Sequence, residues 1–213
     1  RWLTRLRCHT SRRQGRHRLD HPGHQARAGL WLVRHARVLV KAGICYGSSD
    51  VICDDSAVEE AANAFAHCPA YGSMLWTSPS VRAAQLAMSI KSKRQDLLGP
   101  KADDRLREMN FGKWEMHAWD DIPLSDFDAW TADFPNYRFG GEESTQEVID
   151  RVANALQEVL SMNTSELVWI THAGVIKAVQ FLSPEMQRKS ISSAEEWPIQ
   201  SPATGTWVCI DCG

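Results

Sequence analysis

Three short apolar runs, each ending in polar residues and a helix start, most constrain how this 213-residue chain can fold. They cover residues 30–33, 74–77 and 167–170, and they are rich in the branched and aromatic side chains that suit a strand buried on both faces. Helical patterns lie between and around them, over residues 57–67, 81–90 and 145–160. Strands that alternate with helices form a largely parallel sheet covered on both faces. The sequence therefore predicts a three-layer α/β/α sandwich with a mostly parallel central sheet.

The clearest helix and the least regular segment adjoin each other. Ser144 followed by Glu147 forms a capping box at the start of residues 145–160, whose apolar residues recur at helical spacing. Residues 107–138 show no clean period and are rich in Trp, Asp, Pro and Phe. We expect an ordered excursion over the sheet that forms a lid or one wall of a pocket. At least two of its tryptophans are expected to pack in the core or lid: Trp114, Trp119 and Trp130.

Residues 1–28 form a strongly basic segment. They hold eight arginines against one acidic residue, Asp20, which leaves 16 basic and 25 acidic residues in the remainder. The segment lacks apolar periodicity, so we expect a disordered extension followed by one domain over residues 29–213. It also lacks the apolar core and cleavage site of a secretory signal. Because the chain begins with Arg, a truncated start or translated upstream sequence explains the segment as well as a nucleic-acid-binding arm does.

The cysteines and the lengths of the apolar runs bear on location. Six cysteines are scattered through a chain too large to depend on disulfides, so we expect a reduced, cytoplasmic compartment. Cys209 and Cys212 form a lone CxxC without the further ligands of a zinc site, and we expect Cys209 to pack as a small apolar residue in a strand over residues 206–210. No apolar run approaches the roughly 18 residues of a membrane span, so no membrane partner is expected.

Arginine and histidine follow the predicted strands. Arg34 and His35 end the first, Arg82 opens the helix after the second, and His172 follows the third. Open α/β sheets bind ligands at this edge, and the guanidinium fork matches phosphate oxygens. A neutral imidazole can attack phosphorus while a second histidine stabilises the transferring group. A cation near a helix start opposes the helix dipole, which favours an anion-binding role for Arg82. These residues predict a cationic pocket for a phosphoryl group.

Transfer of a phosphoryl group from an ester also needs an acid, because the departing alkoxide must gain a proton. The stretch LREMNFGKWE holds two candidates, with Glu108 as the first choice and Glu115 as the second. A small phosphorylated molecule is therefore the expected substrate and partner.

Six motifs give the chain a family resemblance. They are LVRHA, CYGSSDV, TSPSVRAAQLA, LREMNFGKWE, FGGEES and ITHAGVIKA, and they span roughly residues 29 to 182. In this order they resemble the histidine phosphatase superfamily, which contains the cofactor-dependent phosphoglycerate mutases, and specifically its short bacterial branch of alpha-ribazole phosphatase-like proteins. The resemblance implies a phosphoglycerate mutase-like fold and a catalytic domain over residues 29–213. It also implies a reaction without a metal or an organic cofactor.

The resemblance implies a role for each matching residue. His35 aligns with the histidine that becomes phosphorylated, and Arg34 with the arginine beside it that holds phosphoryl oxygens. Arg82 matches a second phosphate ligand, His172 the second histidine, and Glu108 the proton donor. Thr171 and Ala173, which flank His172, are further candidate phosphate-binding residues.

Three departures from the family pattern affect what carries over. Ala36 replaces the usual glycine after the first histidine, which is a small change. Residues 38–43 read VLVKAG and lack the Thr and Asn of many members, which weakens any transfer of mutase activity. Glu143 makes the usual Gly-Gly-Glu-Ser read Gly-Gly-Glu-Glu-Ser.

Four functions therefore stand in order of preference. The first is a phosphomonoester hydrolase acting through phosphohistidine, with alpha-ribazole phosphate in cobalamin synthesis as one candidate substrate. The second is a phosphoglycerate mutase, which interconversion of the two phosphoglycerates would reveal. The third is a non-catalytic phospho-ligand binder. The fourth is a nucleic-acid binder whose salt-dependent binding is lost on deletion of residues 1–28.

Overall fold

A computed structural model describes residues 29–68, 70–162, 166–183 and 190–211, so the basic segment 1–28 lies outside the described residues. Within these ranges the strands are β1 (Gly29–Arg34), β2 (Met74–Thr77), β3 (Leu98–Ala102), β4 (Glu166–Thr171) and β5 (Trp207–Asp211). The α-helices are α1 (Asp55–Phe65), α2 (Val81–Lys93), α3 (Leu124–Ala132), α4 (Thr145–Ser161) and α5 (Ala173–Leu182). Short 3-10 turns cover Asp104–Leu106, Gly112–Trp114, Trp119–Asp121 and Ala194–Glu196.

The strands form one sheet in the order β3-β2-β4-β1-β5. β1, β2 and β3 all run parallel to β4 through their pairings, whereas β5 pairs antiparallel with β1 at the edge. The predicted strands over residues 30–33, 74–77 and 167–170 are thus confirmed, and the sheet is mostly parallel as expected. β4 is the central strand and β1 lies beside it, which places the residues that follow them side by side.

Each face of the sheet packs against its own helices. Leu32 and Trp169 point to one face, where they join a buried cluster with residues of α4 and α5. Val33 and Ile170 point to the other face and pack with residues of α1 and α2. Full burial of each such side chain contributes about 1.5–3 kcal/mol, which explains the uninterrupted apolar character of the strands. The three-layer sandwich is therefore confirmed.

The starts of α2 and α4 match the predicted positions, whereas α1 begins at Asp55, two residues before its predicted start. Ser144 and Glu147 make both bonds of the capping box at the start of α4. Helix α2 begins at Val81 as predicted, but the side chain of Ser80 makes no capping bond. The Val81 N–H instead donates to Asp50 Oδ1 at 2.8 Å. A residue distant in sequence therefore caps this helix.

The CxxC motif near the carboxyl end tests the expected packing of Cys209. Cys209 lies in β5 but its side chain is exposed, so the expectation that it packs as a core residue is wrong. Its CxxC partner Cys212 lies outside the described residues.

Among the residues that the structure describes, no helix is both long and apolar enough to cross a membrane.

Candidate active site

β1 and β4 are adjacent and parallel, so the residues that follow them meet at one edge of the sheet. Arg34 pairs in register with Thr171, and the His35 N–H donates to the Thr171 carbonyl at 2.9 Å. The rings of His35 and His172 consequently lie 5.3 Å apart between their centroids. The sheet topology thus brings the two predicted histidines together.

His35 is held in one ring orientation within a buried environment. Its side chain is 2% exposed, and Nδ1 lies 2.8 Å from the Ala36 carbonyl oxygen. A neutral ring that donates from Nδ1 leaves Nε2 unprotonated. Burial, and then the charges of Arg82 and Arg34, lower the pKa of His35 to about 3. The ring is therefore neutral at neutral pH, and Nε2 has the lone pair that a nucleophile requires.

His172 is fully buried and occupies the N-cap position of α5. Nε2 lies 2.8 Å from Ser78 Oγ, whereas Nδ1 has no hydrogen-bond partner in the described part of the chain. Burial, and then the charges of Arg82 and His35, hold the pKa of His172 well below its usual range. When Ser78 donates to Nε2, Nδ1 carries the proton and can donate it. A buried donor without a partner suits contact with an anionic oxygen.

The two arginines are anchored by backbone carbonyls. Arg82 is fully buried in the first turn of α2, and its terminal nitrogens donate to the carbonyls of Ser49 at 2.7 Å and Gly47 at 2.5 Å. Arg34 donates from one terminal nitrogen to the Pro202 carbonyl at 3.1 Å. The buried Nε atom of each arginine has no partner among the described residues. Each guanidinium is therefore held in place and still has a donor for an anion.

Thr171 and Ala173 lie beside His172 but do not present side-chain donors to the pocket. The Thr171 hydroxyl donates to the Leu106 carbonyl at 2.8 Å and is completely buried. This contact ties β4 to the segment that leads to Glu108. Ala173 is the first residue of α5 and lines a neighbouring cavity. The geometry thus gives Thr171 a positioning contact and Ala173 a place in the cavity wall.

Glu108 lines the same cavity as Arg34 and His35, a space of about 170 Å³. Its Oε2 accepts from the Gly174 N–H at 3.0 Å, and Oε1 accepts from the Met109 N–H at 3.1 Å. Gly174 lies in the first turn of α5, so a free backbone N–H at the helix start holds the Glu108 side chain. A Cβ at this glycine would overlap the Glu108 carboxylate. The missing side chain at Gly174 is therefore what allows the close approach.

Glu115, the second candidate acid, forms hydrogen bonds to a neighbouring loop. Its carboxylate accepts from the N–H and hydroxyl groups of both Ser48 and Ser49, and from the Phe111 N–H at 2.9 Å. These contacts hold the loop whose Gly47 and Ser49 carbonyls bind Arg82. The structure thus distinguishes two acids that the sequence left as alternatives.

A pair of residues that sequence reasoning did not assign holds the segment around Glu108. Arg151 in α4 donates to the carbonyls of Arg105 and Arg107, both at 2.7 Å. Glu143 accepts from Arg151 Nε at 2.7 Å and from the Asn110 N–H at 3.0 Å. We call Glu143 and Arg151 the polar clamp. The extra glutamate of the FGGEES motif was the signal that the sequence offered, but the segment that it holds at Asn110 is distant in sequence.

A second cavity of about 280 Å³ adjoins the first, and Glu108, Phe111 and Trp119 line both. The predicted pocket-wall role of residues 107–138 is thus confirmed for part of this segment. All three tryptophans have ring contacts with Phe139, and Trp119 also lines both cavities.

Comparison with known proteins shows which family and which curated protein the chain matches. The family model described as the histidine phosphatase superfamily, branch 1, matches residues 30–201. A curated protein of Hydrogenobacter thermophilus named "Putative phosphoserine phosphatase 2" is 30% identical over 111 residues, which is 50% of this chain and 53% of the relative. The chain therefore spans about half the length of the curated relative it matches.

Solved structures extend the likeness in fold. A mycobacterial glucosyl-3-phosphoglycerate phosphatase has a TM-score of 0.69 at 19% identity, with 85% of this chain and 89% of that chain covered. A protein of Thermus thermophilus has a TM-score of 0.64 at 24% identity, with 86% of this chain and 93% of that chain covered. At these identities the likeness concerns the fold alone.

Proposed function

Because this chain belongs to the histidine phosphatase superfamily, branch 1, we propose that it hydrolyses phosphomonoesters through a phosphohistidine formed on His35. The observation that carries the proposal is the state of the His35 ring. It is neutral and fixed through Nδ1 by the Ala36 carbonyl, with Nε2 left unprotonated in the cavity lined by Arg34 and Glu108. This is the arrangement that nucleophilic attack on phosphorus requires.

In the first step, His35 Nε2 attacks the phosphorus atom and the bond from phosphorus to the ester oxygen breaks. Glu108 donates its proton to that oxygen, so the alcohol leaves in neutral form. Arg34, Arg82 and His172 donate to the equatorial phosphoryl oxygens, and their unpartnered nitrogens supply the hydrogen bonds. Because these donors are already in place, little reorganisation is needed as charge develops.

In the second step, a water molecule attacks the phosphorus atom of the phosphohistidine. Glu108, now a carboxylate, accepts the proton of that water. The bond from nitrogen to phosphorus breaks, inorganic phosphate leaves, and His35 returns to its neutral form. The low pKa of His35 helps this step, because the ring departs without needing a proton.

Phosphate release from a panel of esters tests the proposal. Wild-type protein is compared with His35→Ala and with His67→Ala, an exposed histidine that serves as the matched control. We expect release in the wild type and in the control, and loss of release in His35→Ala with an unchanged circular dichroism spectrum. Mass spectrometry after base quenching should locate a phosphoryl group on His35. Release at the wild-type rate from His35→Ala would disprove the assignment.

The same panel separates the mutase and the phospho-ligand binder from the phosphatase. Interconversion of 2- and 3-phosphoglycerate that outpaces phosphate release would favour the mutase. Binding of the esters without turnover by the wild type would favour the phospho-ligand binder. The physiological ester is a finer question, for which the motif resemblance supports alpha-ribazole phosphate. The names of the relatives support phosphoserine and a glucosylated phosphoglycerate instead. All of these esters therefore belong in the panel.

A further inference from the structure

The larger cavity opens beside the one that holds His35. The two spaces share Glu108, Phe111 and Trp119 in their walls, so the proposed proton donor lies at the boundary between them. An ester whose phosphoryl group lies next to His35 has its bridging oxygen near Glu108. The alcohol portion beyond that oxygen then extends into the larger cavity. At about 280 Å³, this cavity can accept a group the size of an aromatic ring or a sugar.

The wall of the larger cavity is mainly apolar and aromatic. Its aromatic members contact one another, with Phe111 and Trp119 rings 5.4 Å apart and Phe134 and Trp197 rings 6.2 Å apart. Phe134 is also stacked on Trp130 at 5.5 Å. Such mutual contacts limit rotamer freedom, so the wall presents flat, preformed surfaces to a ligand.

One cation interrupts this wall. Lys177 lines the cavity from α5, one helical turn beyond Ala173. Its ammonium group has no hydrogen bond and no ion pair within 4 Å among the described residues, and burial lowers its pKa even though the charge of Glu108 acts to raise it. A half-buried ammonium without a partner loses hydration and gains no bond in return. A ligand carboxylate would supply the missing partner.

We propose that the larger cavity is the site for the leaving alcohol and that Lys177 selects alcohols carrying a carboxylate next to an apolar or ring-shaped body. This inference rests on the proposed phosphatase function, because it assigns the second half of the same substrate. Helix α5 places Lys177 and the Gly174 N–H, which binds Glu108, on one rigid element. The helix therefore sets the distance between Lys177 and the proposed proton donor Glu108. The preferred substrate class is a phosphorylated hydroxy acid, and alpha-ribazole phosphate lacks the required carboxylate.

A matched pair of esters tests the role of Lys177. The esters 3-carboxyphenyl phosphate and 3-carbamoylphenyl phosphate have nearly the same shape and differ in charge. We expect wild type to prefer the acid by about tenfold in kcat/KM, because a charge-assisted hydrogen bond contributes about that factor. Lys177→Met should reduce the ratio of acid to amide to about one, whereas Lys177→Arg should keep most of it. Lys41→Met, at an exposed lysine, is the control and should retain the wild-type ratio.

Binding measurements keep this inference distinct from the proposed function. Calorimetry on His35→Ala and on His35→Ala/Lys177→Met gives the affinity for both esters without turnover. A preference for the acid that disappears in the double variant supports the carboxylate site whether or not any ester is hydrolysed. Hydrolysis of 4-nitrophenyl phosphate without a preference for the acid in rate or affinity would overturn the inference and leave the phosphatase function intact. An equal loss for both esters in Lys177→Met would overturn it as well.

Discussion

The two sides of the proposed site meet at the cavity lined by Arg34, His35 and Glu108, but they are built differently. The histidine side comprises Arg34, His35, Arg82 and His172, which lie at strand ends or in a helix start, and the last three are almost completely buried. The acid side comprises residues 105–115, which contain only short 3-10 turns and carry the half-buried Glu108. Regular hydrogen bonding of the sheet and of α2 therefore positions the backbone of one side, whereas individual side-chain contacts position the other.

Because the two sides are built differently, different substitutions should disrupt each of them. Strands β1 and β4 hold Arg34, His35 and His172 through a parallel ladder, so loss of one of these side chains leaves its backbone in place. The acid side depends on the polar clamp, on Gly174 and on the Thr171 hydroxyl, which contacts the Leu106 carbonyl. Substitution of residues that do not contact the phosphoryl group should therefore disturb the acid side more than the histidine side. The following predictions test that contrast in order of decreasing effect.

Loss of Arg82 should have the largest effect, because this side chain is proposed to bind the phosphoryl group and also donates to the carbonyls of Gly47 and Ser49. For Arg82→Ala we expect kcat/KM to fall by about a thousandfold, and the free energy of unfolding by about 1–3 kcal/mol through the orphaned carbonyls. Ester kinetics and urea unfolding measure the two effects. Arg37→Ala, at an exposed arginine paired with Asp54 at 3.5 Å, is the control. Activity within about threefold of wild type would remove Arg82 from the site.

Gly174→Ala should impair the acid side without unfolding the protein. The new methyl group overlaps the Glu108 carboxylate, while alanine favours the helix more than glycine does. We expect kcat for alkyl phosphates to fall by about a hundredfold, since correctly placed general acids contribute at least that factor. The loss should be much smaller for 4-nitrophenyl phosphate, whose leaving group needs little protonation. Equal losses for both esters would mean that the substitution does not act through Glu108.

Lowering the pH should reduce the free energy of unfolding, because His35 and His172 are buried. The pKa of His35 is about 3 in the folded protein, against an ordinary histidine pKa of 6.5, so the unfolded chain binds the additional proton between these values. The free energy of unfolding must therefore fall as pH decreases through this window, by about 2 kcal/mol for His35 between its ordinary pKa and about pH 5. The lowered pKa of His172 acts in the same direction.

Urea unfolding of His35→Asn at neutral and acidic pH checks this linkage. The variant should lose the His35 share of the pH dependence, whereas the same substitution at the exposed His67 is the control. A pH dependence of His35→Asn equal to that of wild type would show that His35 does not remain neutral in the folded protein.

Glu143→Gln should give the smallest effect and bears most directly on the polar clamp. The amide keeps the shape of the side chain but weakens its bond to Arg151 Nε, which loosens the segment that carries Glu108. We expect kcat for alkyl phosphates to fall by about tenfold with little change for 4-nitrophenyl phosphate. Glu142→Gln, at the exposed neighbouring glutamate, is the control. Unchanged kcat in Glu143→Gln would show that the clamp does not position the acid.

Sequence reasoning was most successful where periodicity follows burial. The strands containing Leu32, Trp76 and Val168 are covered on both faces, so their apolar runs identified them. β3 was not predicted, because this edge strand reads LGPKA and is largely exposed. Helix α3 was also missed, since its nine residues include no buried one. Elements that bury little surface leave little periodic signal.

The sequence by itself determined the central sheet, the order of the motifs and the placement of Arg34, His35, Arg82 and His172 beside elements of that sheet. Local hydrophobic pattern and chain order are sufficient for these features, because parallel strands bring their carboxyl ends to one edge. Only the tertiary structure decided that Glu115 holds the loop beneath Arg82 and that Glu108 faces the cavity. It also decided the contacts of Ser78 with His172 and of Glu143 with Arg151, and the position of Lys177 in the wall of the larger cavity. These features depend on side-chain contacts that form only in the folded chain, for which local pattern carries no physical signal.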